Sequence, residues 1–117
     1  MKKLLLLISV ACFAAACTSD SEEDLIDAEP DRCSTTISFQ DEISAIINTN
    51  CAIPGCHNGD IGASRDWTVF ANVQNSAQAI RSRTFGRTMP PPNSGITLSD
   101  AQIDAISCWV EQGANNN

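Results

Sequence analysis

Cys51-Ala52-Ile53-Pro54-Gly55-Cys56-His57 is the stretch on which the reading of this chain turns. It sets two thiols and an imidazole close together, and His57 is the only histidine in the 117 residues. A cysteine pair that ends in Cys-His can attach haem c. The thiols become thioethers to the vinyl groups, and the adjacent imidazole binds the iron. Four residues separate the cysteines here. Ile53-Pro54-Gly55-Cys56 reads as a tight turn, with Pro fixing φ at its second position and Gly accepting positive φ at its third. Such a turn bulges outward and leaves both sulfurs within reach of one ligand. The same residues admit two other readings. A plain Cys51–Cys56 disulfide would staple an exported domain. A Cys3His zinc site could use Cys33, Cys51, Cys56 and His57, although no Cys-x-x-Cys knuckle is present.

Downstream, Met89-Pro90-Pro91-Pro92 lies 32 residues beyond His57. The chain has two methionines, and the other is Met1. A thioether held on a proline-stiffened loop suits the sixth position of an iron whose fifth is an imidazole. Trp67 and Trp109 read either as core or as lining of a cofactor pocket, where an indole N–H can reach a carboxylate. Arg81, Arg83 and Arg87 precede the Met loop. Any of them reads as a solvated face or as a fork for a carboxylate.

Upstream, Lys2 and Lys3 introduce a run from Leu4 to Ala16 that is apolar except for Ser9. It is too short to span a bilayer, which needs about 20 residues, and it reads as a secretory signal covering residues 1–16. Phe13-Ala14-Ala15-Ala16-Cys17 resembles a lipobox, with Ala14 where Leu is usual and Cys17 as the lipidated residue. Cys12, after Val10-Ala11, is a competing site inside the apolar run, and soluble export after cleavage at Ala16 is the simpler alternative. Residues 17–32 then form an acidic tether, too polar to fold alone. That stretch resembles the surface-export signals of some Gram-negative lipoproteins, and it also reads as a plain solvated spacer.

Without residues 1–16 the chain keeps 14 acidic residues against 5 arginines and has no lysine, a net charge of about −9. Phosphate recognition needs a basic face, so nucleic-acid binding is disfavoured. Six cysteines sort by role. Cys12 leaves with the signal, Cys17 carries lipid, and Cys51 and Cys56 serve the cofactor. Cys33 and Cys108 remain, to be read as a disulfide in an exported protein or as a pair of buried thiols. Residues 33–117 form one domain, small enough that a bridge matters to its stability.

The expected structure is all-α. Ser38 reads as an N-cap with Asp41 and Glu42 at the positive end of a helix. Phe39, Ile43, Ile46 and Ile47 form its apolar face, and the helix stops near Asn48–Asn50. Residues 58–66 read as loop, Asp66–Gln74 and Asn75–Ser82 as short helices, and residues 84–97 as the Met loop. Ser99-Asp100-Ala101-Gln102 matches a capping box. Ile103, Ile106, Ser107 and Val110 continue one face to a stop at Gly113. Asn115–Asn117 is expected to fray.

This order of elements, with Cys51…Cys56-His57, Met89-Pro90-Pro91 and a last helix ending Trp109-Val110-Glu111-Gln112-Gly113-Ala114, resembles a small class I cytochrome c domain over residues 33–114. The longer cysteine spacing resembles a variant found in some multihaem cytochromes and in single-haem lipoproteins. The resemblance implies one covalently attached haem, with His57 as proximal ligand, Met89 as distal ligand, and Cys51 and Cys56 as thioether anchors. It implies crossed first and last helices, which a Cys33–Cys108 bridge would pin together. It implies a one-electron carrier rather than an enzyme, exchanging electrons with redox partner proteins. With a lipid anchor the domain would sit on the periplasmic side of the envelope or on the outer-membrane surface. A haem-based sensor, in which Met89 leaves the iron, and a disulfide-stapled structural lipoprotein are the other classes.

Overall fold

Ser38 starts the first helical element as its side chain predicts: in the computed structural model its Oγ accepts the Asp41 N–H at 3.1 Å. The Glu42 carboxylate in turn accepts from the Ser38 N–H at 3.3 Å. The structure describes residues 32–117. The expectations for the signal, for Cys12 and Cys17 and for the acidic stretch through Asp31 lie outside them.

The first element opens as a π-helical turn, Phe39–Ile43, in which the Ile43 N–H reaches back to Ser38 O at 3.2 Å. It continues as α1, Ser44–Asn50, and ends one residue before Cys51. A short 3₁₀ turn, Ala63–Arg65, follows, then α2 (Phe70–Asn75), α3 (Ala77–Phe85) and α4 (Asp100–Glu111). Among the described residues there is no strand, only an isolated bridge between Asn58 and Asp66. The described residues are all-α, and no helix among them is long and apolar enough to cross a membrane.

The bounds of α2 and α3 differ at both ends from the expected Asp66–Gln74 and Asn75–Ser82, most at the start of α2 and the end of α3. α2 begins at Phe70 because the Asp66 carboxylate accepts from both the Thr68 N–H and hydroxyl, at 3.1 and 2.5 Å, and holds that segment in a turn. α3 extends to Phe85, its last turn buried at Thr84, whose hydroxyl bonds Ile80 O at 2.9 Å. The helix 4 signals act as read. Ser99 and Gln102 form the full capping box. The Gly113 N–H reaches Val110 O at 3.1 Å, and Gly113 takes φ +103°, which turns the chain so that the Ala114 N–H reaches Trp109 O at 2.9 Å. Two carbonyls at the helix end are thereby satisfied.

The core lies between the first and last helical elements. Ile43, Ile47, Ile106 and Trp109 are each at most 1% exposed. Phe39 stands edge-on to Phe70, centroids 4.6 Å apart, and is tilted against Trp109 at 5.6 Å. Each such side chain contributes roughly 1.5–3 kcal/mol by leaving water.

Segment 33–38 is clasped to α4. Cys33 and Cys108 are joined by a disulfide. Beside it the Gln112 amide accepts from the Ile37 N–H at 2.9 Å and donates to Cys33 O and Thr35 O at 3.1 and 2.8 Å. The chain end is held as well, contrary to the expectation of fraying. Asn117 O accepts from the Gln40 N–H and the Ser38 hydroxyl, and the Asn117 side chain accepts from the Phe39 N–H. The tail thus satisfies donors at the start of the first helix that have no intrahelical partner.

Candidate functional site

The turn between the two cysteines has the form that Pro54-Gly55 dictates. The Cys56 N–H donates to Ile53 O at 3.0 Å, and Gly55 takes φ +77°. A second bond, from the His57 N–H to Cys51 O at 3.0 Å, closes the whole loop on itself. Cys51, Cys56 and His57 are therefore fixed by local backbone bonds, anchored where the Cys51 N–H caps α1 through Ile47 O at 2.8 Å. Cys51 and Cys56 are both free thiols. Burial, and then the neighbouring Cys56, push the Cys51 thiol up to about 11. Cys51 is thus protonated at neutral pH.

These three residues line one wall of a cavity of about 460 Å³, and Met89 lines it too. The cavity lies within the size range of small-ligand sites. Met89, Pro90 and Pro91 are half-buried along its edge, on a loop tied to α3 where the Thr88 and Met89 N–H groups share Arg83 O, at 2.9 and 3.2 Å. Most of the exposed lining is apolar, with Ile80 of α3 at the base.

The two tryptophans have different roles. Trp109 is core: it is 1% exposed, and its indole N–H donates to Asn115 O at 2.9 Å. Trp67 lines the cavity and lies flat on His57, with ring centroids 3.6 Å apart and planes within 3°. The His57 Nδ1 is buried with no hydrogen-bond partner. Burial first, then the positive field of Arg65, lower the His57 pKa and favour the neutral imidazole.

The five arginines divide as well. Arg32 pairs with Asp104 and Glu111, Arg81 with Glu111, and Arg87 with Asp100. Arg65 and Arg83 line the cavity, and among the described residues neither has an acidic partner. Of the three arginines singled out from sequence, only Arg83 lies on the cavity. Arg65 was not among them, since nothing in its neighbours Ser64 and Asp66 marks it as facing inward.

α3 separates this cavity from a shallow cleft that holds Arg32. Its residues Ser76, Ala79, Ile80 and Arg83 face the cavity. Gln78, Arg81, Ser82 and Phe85, set about 200° round the helix, line a shallow cleft with Arg32 and Ser107 on the other side. The Cys33 sulfur is held by Cys108, so it is not available to complete a Cys3His zinc set with Cys51, Cys56 and His57.

No family model, curated protein or solved structure matches this chain. The site therefore has to be read from its own chemistry. One mostly apolar cavity presents two free thiols, an imidazole biased towards its neutral form, a soft thioether, and two guanidiniums without acidic partners among the described residues. That donor set fits a large apolar ligand that carries a metal and anionic groups.

Proposed function

We propose that this domain holds one covalently attached haem c and carries single electrons. The observation that supports the reading is that Cys51, Cys56, His57 and Met89 line the same cavity, although Met89 is 32 residues from His57 in the chain. Cys51 and Cys56 would anchor the group through thioethers, and His57 and Met89 would bind its iron. Arg65 and Arg83 receive the propionate carboxylates, which guanidinium matches as a two-pronged donor. The haem supplies the change of iron charge that stores and releases one electron. The protein supplies what makes that change reversible. The Met89 thioether would favour the reduced form, and the apolar lining would disfavour extra charge. On this reading the domain is a class I cytochrome c-like carrier and not an enzyme. Its partners are redox proteins. A lipidated Cys17 would hold it at the envelope membrane while the acidic stretch acts as its leash.

The test is the absorption spectrum and denaturing haem stain of the exported protein. The reading expects sharp reduced α and β bands, no response to carbon monoxide, and staining that is lost in Cys51→Ala/Cys56→Ala. A carbon monoxide response in the wild type would favour a sensor, and the absence of a Soret band would leave a structural lipoprotein.

A further inference from the structure

The imidazole of His57 is held in an unusual way. A ring that serves as a metal ligand is normally oriented through its other nitrogen, which donates to a carboxylate or carbonyl. In this domain His57 Nδ1 is buried and has no such partner. The torsion that turns an imidazole about its Cβ–Cγ bond is soft, with broad wells, so some other contact has to set the plane. The contact present is the Trp67 indole, parallel to the imidazole within 3° at 3.6 Å.

The stack is built on a short antiparallel pairing. The Trp67 N–H donates to His57 O at 2.8 Å, and Asn58 and Asp66 bridge next to them. Gly59 lets the two segments approach: a Cβ there would stand 3.2–3.3 Å from the Asp66 side chain. Asp66 is itself fixed by its bonds to Thr68, at 3.1 and 2.5 Å, immediately beyond Trp67. The indole is thus carried by a rigid backbone, and the imidazole lies against a fixed plate.

The geometry points to Trp67 as a positioning residue that sets the plane of the His57 imidazole by stacking, in place of a hydrogen bond at Nδ1. The role rests on the haem reading of the cavity for its consequence, since the plane of an axial imidazole determines how unpaired spin spreads over the four edges of the ligand ring. The stack itself does not depend on that reading.

Two measurements on the full chain separate these levels. In protein without cofactor, the ring protons of the single histidine report the stack directly. They are expected upfield in the wild type, part-way back in Trp67→Phe, and at the ordinary position in Trp67→Leu. Wild-type ring protons at the ordinary position, in protein whose helical circular dichroism shows it folded, would overturn the stack. In ferric haem-loaded protein, the four haem-methyl proton shifts report the imidazole plane. Trp67→Phe is expected to keep their order, and Trp67→Leu to change their order and spread while haem staining and helical circular dichroism persist. An unchanged methyl pattern in Trp67→Leu would overturn the positioning role and leave the haem reading intact. Should Trp67→Leu lose its helical signal, the Phe variant decides: a methyl order scrambled in Trp67→Phe overturns the role, because a phenyl plate is still present. Wild-type protein without covalent haem would overturn the haem reading and the positioning role with it, while the ring-proton measurement still decides the stack.

Discussion

Replacing Cys33 and Cys108 together by alanine should remove much of the stability of this domain. The bond joins residues 75 apart in sequence. Closing a loop of that length lowers the entropy of the unfolded chain by an amount worth about 4.5 kcal/mol at 25 °C in the chain-entropy model. A domain of this size has a total stability of only about 4–13 kcal/mol. At roughly 4–8 °C per kcal/mol, the double variant should melt about 18–36 °C lower. The folded state changes little, because the Gln112 bonds to Cys33, Thr35 and Ile37 still hold the segment on α4. The comparison belongs in a Cys51→Ala/Cys56→Ala background, where no other thiol of the domain can exchange with the bridge. Urea unfolding followed by helical circular dichroism gives both quantities needed. Stability should fall by about 4 kcal/mol, and the slope with urea should rise, since an unlinked chain exposes more surface. A loss under about 1 kcal/mol with an unchanged slope would refute the reasoning. It would show that residual structure already holds the two ends together in the unfolded chain.

Met89→Ala should lower the midpoint potential and admit carbon monoxide, because water or a weak ligand replaces a soft thioether; an unchanged potential without carbon monoxide binding would remove Met89 from the ligand set. Arg65→Gln/Arg83→Gln takes away the cations beside the proposed carboxylates, so their pKa values rise and the pH-dependent step of the midpoint potential moves to higher pH. A profile superimposable on the wild type would count against that pairing. Gly55→Ala meets no atom within 4 Å but forces an L-residue to φ +77°. It should cost roughly 1–2 kcal/mol in denaturant unfolding, through backbone strain alone, and a neutral outcome would mean that the turn relaxes freely. Cys17→Ser should release the protein from membranes or block its processing; if it stays bound while Cys12→Ser does not, the lipidated residue is Cys12.

The start of the first helix and both ends of the last were legible in the sequence because they are local, whereas the start of α2 was missed although the Asp66 bonds to Thr68 that delay it are local too. Ser38 and Ser99 find their backbone donors three residues on, and Gly113 needs only its own φ. The Pro54-Gly55 turn is local in the same sense. The rest of what could not be read depends mostly on partners far along the chain. Gln112 reaches segment 33–37, and Asn117 reaches Ser38–Gln40, through contacts that no periodicity marks. The sorting of the arginines depends on where Glu111 and Asp100 fall once α4 packs. Trp67 is an intermediate case. Its distance from His57 in the chain is short, but the stack requires the Asn58–Asp66 bridge, and a loop with two glycines and no apolar period gives no sign of one. The cavity followed from the residue types at Cys51, Cys56, His57 and Met89, whereas its charge came from the two arginines without acids.

The two faces of α3 also keep two sets of residues apart. Arg32 lines a cleft with Arg81 and Phe85, while the cavity is lined by Ala79 and Arg83 on the far side of the same helix. Arg32 is tied to Asp104 and Glu111, and its neighbour Cys33 to Cys108, all on α4. Substitutions in that cleft are therefore separated from the cavity lining by the width of a helix, and their effects on stability should add to those of cavity substitutions rather than couple with them.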